Sequence, residues 1–329
     1  MVLTQSVFLP IWKYNHALSL MGLRFMGLSP FPMVWKNHPY VCLLEAHFPN
    51  LFGNLDNSQT DWFPIPLPAR NLFLDEAKIL EKMGIATFRY DKRGCGASEG
   101  DFNTTGLLDL VTDADNALKW LRTLSEIDPN RIGILGQSEG AAIAIMVAAQ
   151  NPDLRFYIWQ GGIYNNLEGI IRWQATNFWQ LDQDAITNFQ HQFPLMYWIY
   201  RQIDPLMVAA HREDNFFLLG DENWSKNFFL PSWKQHFDHP PSNFVDKIKC
   251  PSLILHGELD HNTPPTEASL MEEALIKSGN TLVTTHIFPG LDHSFRRLGQ
   301  PDEDFVTAMN RSLAPEIPGV LISCLGQHV

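Results

Sequence analysis

The sequence predicts an α/β protein, with a mostly parallel, doubly wound sheet and one inserted helical segment. Three observations carry this. Short apolar runs alternate with segments whose apolar residues recur every three or four positions, over 39–161 and again over 248–313. Such alternation buries strands on both faces under helices. The stretch 162–247 breaks the rhythm and is dense in aromatic residues. A serine flanked by glycines stands where one strand hands over to a helix.

In chain order, 39–44 is a short apolar run, read as a buried strand. At 72–83, Leu72, Leu74, Ala77, Leu80 and Met83 recur at helical spacing, and Gly84 marks the stop. A strand is expected over 85–90. A helix follows over 107–124, carried by Leu108, Val111, Ala114, Leu118 and Leu121. Strands at 132–135 and 156–159 flank a helix at 139–150. The rhythm resumes with strands at 252–256 and 282–288 around a helix at 266–278, and a last helix is expected over 303–313. Right-handed crossovers place the strand C-termini on one edge, where active sites of such sheets gather.

Within 162–247, helical spacing returns near 167–179 and 196–208. A structureless loop of that length is foreign to a compact domain, so the segment reads as a mostly helical cap. Most of its aromatics, among them Trp173, Phe178, Trp198 and Trp233, form its own small core, and a few face the cleft beneath. In 1–38, Leu20, Leu23 and Met26 suggest a short helix that Pro30 and Pro32 interrupt. Residues 314–329 read as a tail with no assigned element.

Composition narrows the function. Of the 329 residues, 45% are hydrophobic and 18% charged, enough for a large core and incompatible with global disorder. The net charge of −12 argues against nucleic-acid or anionic-membrane partners, which need clustered Lys and Arg. Cys42, Cys95, Cys250 and Cys324 show no C-x-x-C spacing, so neither a disulfide framework nor a zinc site is expected. The first residues lack the basic, apolar and small-residue succession of a signal peptide. The apolar run 141–149 falls well short of the ~20 residues a membrane span requires. The expectation is a soluble, cytoplasmic protein acting on a small molecule.

The sharpest chemical signal is Gly136-Gln137-Ser138-Glu139-Gly140 between the expected strand and helix. A serine in such a turn is held in a strained conformation that only small flanking residues tolerate, and its hydroxyl is pushed out at the sheet edge. The helix that follows aims its first N–H groups, that of Glu139 included, at the place where an oxyanion forms. Serine needs an oriented base, with the acid and then the histidine following in chain order. Asp260 falls just after the strand that ends near His256, and His293 just after the strand that ends near Phe288. Glu258 and Asp292 compete for the acid role and His256 and His261 for the base. Asp292 adjoins His293 and is poorly placed to fold back onto its ring. His236-x-x-His239 has metal-like spacing, but it lacks a third ligand and runs into Pro240-Pro241. No dinucleotide or P-loop fingerprint occurs, so neither a cofactor nor a metal is expected.

These motifs resemble the α/β-hydrolase superfamily, in its capped serine-hydrolase branch of esterases, acyl-thioesterases and serine-aminopeptidase-like proteins. The resemblance rests on Asp91-Lys92-Arg93-Gly94-Cys95-Gly96-Ala97-Ser98, on the Ser138 turn, and on the contexts G-x-x-D-x-x-x-P around Asp260 and P-G-x-x-H around His293. It implies that Asp91 and Arg93 tie their loop together near the site and that Cys95 is a small buried residue. It also implies a second oxyanion N–H from a turn after the strand at 39–44. There the chain reads His47-Phe48-Pro49, without the family's glycine, and the Phe48 N–H becomes the candidate donor. The implied activity is hydrolysis of an ester or thioester of a small to medium apolar substrate. A peptidase or amidase reading needs an acidic pair under the cap, for which Glu168, Asp182 and Asp184 are candidates. A non-catalytic binding protein of the same fold is favoured only by the altered turn at Phe48.

Overall fold

The computed structural model describes residues 40–44, 72–90, 92–94, 98–125, 127–299 and 311–326. Among the described residues six strands form one sheet: β1 (Tyr40–Leu44), β2 (Ala86–Phe88), β3 (Ile132–Gln137), β4 (Tyr157–Gln160), β7 (Ser252–Gly257) and β8 (Val283–Phe288). They lie in the order β2-β1-β3-β4-β7-β8, and every neighbouring pair is parallel. Parallel neighbours need crossovers, which the helices supply. These are α1 (Leu72–Lys82), α2 (Leu107–Leu121), α3 (Glu139–Gln150) and α9 (Thr266–Lys277).

The two sheet faces carry separate cores. On one, α2, α3 and α9 bury Leu110, Ala114, Ala144, Val147 and Met271 against Ile132, Ile134, Tyr157 and Trp159. On the other, α1 and α10 (Glu316–Gly326) bury Phe73, Leu80, Ile317 and Leu321 against Leu135, Ile158, Leu253 and Leu255. β3 and β4 are buried along their whole length, as expected for central strands covered on both sides.

α10 corrects the reading of the C-terminus. Of the helix expected at 303–313, residues 303–310 lie outside those described. Residues 311–313 are not helical, and Leu313 bridges to Arg296 in antiparallel sense. The helix lies in the segment read as a tail. Ile317, Leu321 and Leu325 recur at i, i+4 and i+8 and are all buried. Pro318 falls in its first turn, where the missing N–H has no intrahelical acceptor to lose.

Residues 162–247 fold as α4 (Leu167–Phe178), α5 (Gln183–Gln192), α6 (Pro194–Arg201), α7 (Ile203–His211), an antiparallel hairpin of β5 (Phe216–Gly220) and β6 (Ser225–Phe229), and α8 (Leu230–Asp238). The single helix expected near 196–208 is two, broken at Gln202, whose side chain accepts from the Gly220 N–H at 2.9 Å. The hairpin was not anticipated, because Phe216-Phe217-Leu218-Leu219 shows no polar alternation. Its turn is set by Gly220 at φ 112°, where a Cβ would stand 1.9 Å from the Trp224 carbonyl, and by Asp221, which accepts from the Asn223 and Trp224 N–H groups. Phe178, Trp198, Tyr200 and Trp233 gather in a cluster of buried side chains belonging to this segment.

The segment meets the sheet-bearing part at defined places. The Leu108 N–H, in the first turn of α2, donates to Gln235 on α8 at 2.9 Å. The Gln235 amide lies so close to Gly106 that a Cβ there would be 2.4 Å from its oxygen. On α4, Gln174 donates to the Asn262 carbonyl in the loop after β7.

Candidate active site

Ser138 has φ 55° and ψ −123°, a sparsely populated region for an L-residue. Close packing of Gly136 against the α3 backbone makes the turn possible, since a Cβ on Gly136 would stand 2.1 Å from the Gly140 carbonyl oxygen. The Ser138 N–H donates to the Gln160 carbonyl at 2.9 Å, fixing the turn to the end of β4. Ser138 remains partly exposed. Glu139 is the first residue of α3, so its N–H has no acceptor within the helix. Leu44, the last residue of β1, pairs in register with Gly136. Phe48, further along the chain, lies outside the described residues, as do Asp91 and Cys95.

Asp260 and His293 meet although 33 positions apart: His293 Nδ1 lies 2.7 Å from Asp260 Oδ2, with both side chains buried. Nδ1 is the donor, which leaves Nε2 as the basic nitrogen. Burial alone would lower the His293 pKa, but the Asp260 carboxylate, with a smaller contribution from Asp292, holds it above its usual value. Burial would likewise raise Asp260, yet His293 and a second imidazole, His256, hold it well below the usual carboxylate range. Asp260 Oδ1 also accepts from the Asn262 and Thr263 N–H groups at 2.8 and 2.9 Å.

Two contacts bring the pair to the Ser138 turn. Gln137 Nε2 donates to the His293 carbonyl at 2.8 Å. Gly161, next to the Gln160 that holds Ser138, has φ 47°, and a Cβ there would lie 3.1 Å from His293 Nδ1 and 3.2 Å from Asp260 Oδ2. The turn and the pair therefore lie on either side of the Gln160–Gly161 peptide. On the opposite side, the Gln160 amide donates to Glu76 Oε1 at 2.6 Å, and burial pushes the Glu76 pKa up to about 8 despite that bond.

The rivals take other places. Asp292 Oδ1 accepts from the Ser294 and Arg296 N–H groups and caps the turn that carries His293. Glu258 accepts from the Gly290 N–H, joining the acid loop to the histidine loop. His256 is fully buried, with Nε2 3.0 Å from the Thr263 carbonyl and 3.3 Å from Asp260 Oδ2. Among the described residues its buried Nδ1 has no hydrogen-bond partner. His236, of the metal-like pair, has its Nε2 within hydrogen-bond distance of Glu139 Oε1, at 3.1 Å. Among the described residues no group of three or more His, Cys, Asp or Glu is placed to hold a metal. Arg93 donates to Asp113 on α2 at 2.6 and 2.9 Å, joining its loop to that helix.

Sequence reasoning gave Gln137 and Gly161 no role of their own and weighed His256 only as a rival base. It also missed the partners of the Glu139 side chain. Burial would raise the Glu139 pKa, but Lys92 at 2.7 Å and His236 outweigh it and hold the carboxyl well below its usual range. Nothing in sequence spacing connects Lys92 or His236 to Glu139.

The family model for X-Pro dipeptidyl-peptidase (S15 family) matches residues 27–287. An uncharacterized protein of Mycobacterium tuberculosis is 36% identical over 83 residues, a match that spans 25% of this chain and 28% of that protein's length. The Homo sapiens serine hydrolase BPHL is 23% identical over 247 residues, covering 74% of this chain and 71% of that one. In fold, the chain is similar to Est1E from Butyrivibrio proteoclasticus with ferulic acid bound, at a TM-score of 0.55 and 15% identity over 88% of this chain and 89% of that one. Among the described residues no helix is long and apolar enough to cross a membrane. Strand order, the Ser138 turn and the family match lead to one assignment: the chain belongs to the X-Pro dipeptidyl-peptidase (S15) family, within the α/β-hydrolase superfamily.

Proposed function

We propose that the protein is a serine hydrolase that cleaves carboxylic ester or thioester bonds of small to medium apolar substrates. The observation that carries this is the buried 2.7 Å Asp260–His293 pair, set against the strained Ser138 turn across the Gln160–Gly161 peptide. Ser138 Oγ attacks the acyl carbon while His293 Nε2 takes its proton, and Asp260 stabilises the imidazolium. The Glu139 N–H, with that of Phe48 as the second donor, binds the oxyanion. Collapse expels the alcohol or thiol, protonated by His293. Water, deprotonated by the same nitrogen, then releases the acid and frees Ser138.

Residues 162–247 act in this reading as a cap. In this reading those of its aromatic side chains that face the cleft favour apolar acyl or alcohol groups, whose burial contributes about 25 cal/mol per Å². A peptidase reading is favoured by the family match. Against it, the acidic candidates for an α-amine site have other work or stand apart. Glu168 is engaged by Arg172 at 2.8 Å and His211 at 2.9 Å, Asp182 caps α5, and Asp184 is exposed.

The purified protein should hydrolyse p-nitrophenyl esters of C2 to C8 acids and acyl-CoA thioesters at least a hundredfold faster, in kcat/KM, than aminoacyl and X-Pro p-nitroanilides. A preference for the anilides would establish the peptidase reading. No turnover of either class by the folded protein would favour the non-catalytic one.

A further inference from the structure

The residue assigned to donate the oxyanion N–H carries a carboxylate, so the same residue that attracts the developing negative charge also repels it. Glu139 Oε2 accepts from Lys92 Nζ at 2.7 Å and Oε1 lies 3.1 Å from His236 Nε2. All three side chains are shielded from solvent, with relative exposures of 4% for Lys92, 12% for Glu139 and 7% for His236. Lys92 sits just after β2, 47 positions from Glu139, and His236 lies on α8, 97 positions away. Three parts of the chain thus converge on one carboxylate beside Ser138.

The geometry points to a role in catalysis for this group: Lys92, by its charge, and His236, by its hydrogen bond, act as positioning residues that offset the Glu139 carboxylate, so that its backbone N–H can serve a developing anion. This rests on the proposed roles of Ser138 and the Glu139 N–H. The carboxylate cannot escape by taking up a proton, since its two partners hold it ionised. One side chain plus one hydrogen bond puts its charge within roughly 8 Å of the oxyanion. At an effective dielectric of about 20, an uncompensated charge at that distance slows a reaction by about thirtyfold. Because His236 belongs to the inserted segment, its hydrogen bond to the carboxylate forms only with α8 seated on the elbow, where the bond from Leu108 to Gln235 also holds it. The inserted segment then contributes to the chemical step and not only to substrate selection.

The test uses the full chain and a fluorophosphonate, so it does not depend on knowing the substrate. Labelling of Ser138 is resolved into its maximal rate and its half-saturating concentration. Lys92→Met is expected to slow the maximal rate about thirtyfold while the half-saturating concentration stays within threefold. Adding Glu139→Gln to Lys92→Met restores neither ion pair but removes the bare charge, and is expected to recover at least tenfold. A merely structural ion pair predicts the opposite, with the double variant no faster than the single. That result, or a Lys92→Met protein within threefold of wild type, overturns the proposal. Should Lys92→Met fail to fold, His236→Asn leaves the Lys92 pair intact. It is expected to slow labelling about tenfold, with recovery on adding Glu139→Gln, and a loss below twofold overturns the proposal equally. A folded wild-type protein that takes no label on Ser138 overturns instead the reading of the site, and this inference with it.

Discussion

Asp260→Asn should lower kcat by about four orders of magnitude, because an amide in place of the carboxylate no longer fixes the His293 tautomer or stabilises its cation. The fold should survive, since the Asn Oδ1 can still accept from the Asn262 and Thr263 N–H groups that Asp260 Oδ1 serves. The same pair sets the pH dependence. His293 titrates above its ordinary 6.5, so the fraction carrying a free Nε2 reaches one half only above that value. The ascending limb of kcat/KM should therefore have its midpoint above 6.5 in the wild type and move to lower pH in the residual activity of Asp260→Asn.

Stability runs the other way. A raised histidine pKa contributes stability that is fully present below 6.5 and is lost as pH rises through the folded value. The depressed Asp260 contributes stability that is present above 3.8 and lost as pH falls through its folded value. The pair therefore stabilises the fold most between those limits. Rate profiles and melting curves across pH 4–9 check both signs. A limb that stays put in Asp260→Asn would detach it from Asp260.

Gly136→Ala should give the largest loss of stability among single methyl additions near the site. The new Cβ would fall 2.1 Å from the Gly140 oxygen, 2.5 Å from its carbon and 2.8 Å from the Ala141 nitrogen. All three are backbone atoms at the start of a buried helix, so no flexible side chain can give way. A clash of that kind belongs with the severe point mutations, about 4 kcal/mol or more. In a chain of this size that corresponds to a melting temperature at least ~6 °C lower, or to no soluble protein. Gly169→Ala is the contrast. It sits in α4, and its Cβ would meet only Asn166 Oδ1 at 3.6 Å, so it should be neutral or stabilising by up to about 1 kcal/mol. Comparable melting temperatures for the two variants would remove the steric account of the Ser138 turn.

The alternation of strands and helices was legible because a buried parallel strand and its crossover helix each leave a periodic trace. The six strands of the parallel sheet fall within a residue or two of their expected places. Ser138, Asp260 and His293 stood out because each follows a strand end, and parallel strands carry those ends to one edge. α10 was hidden by Pro315, Pro318 and Gly319, residues that usually punctuate a helix and here fall before it or in its opening turns. The β5–β6 hairpin was hidden because its strands expose apolar side chains, Phe216 and Leu218 among them, so no alternation marks them. The Lys92–Glu139–His236 group was beyond reach for a different reason. Ion pairs between distant parts of a chain leave no periodicity, and only the packing of α8 against the elbow creates this one.

The central claim is that Ser138 is an activated nucleophile. Mass-spectrometric mapping of the adduct after fluorophosphonate treatment, with Ser138→Ala as control, tests it most directly. The expected result is a single adduct on the peptide containing Ser138, abolished in Ser138→Ala and suppressed in His293→Ala, with folding unchanged by circular dichroism. An adduct on another residue, or none on a folded protein, would contradict the account.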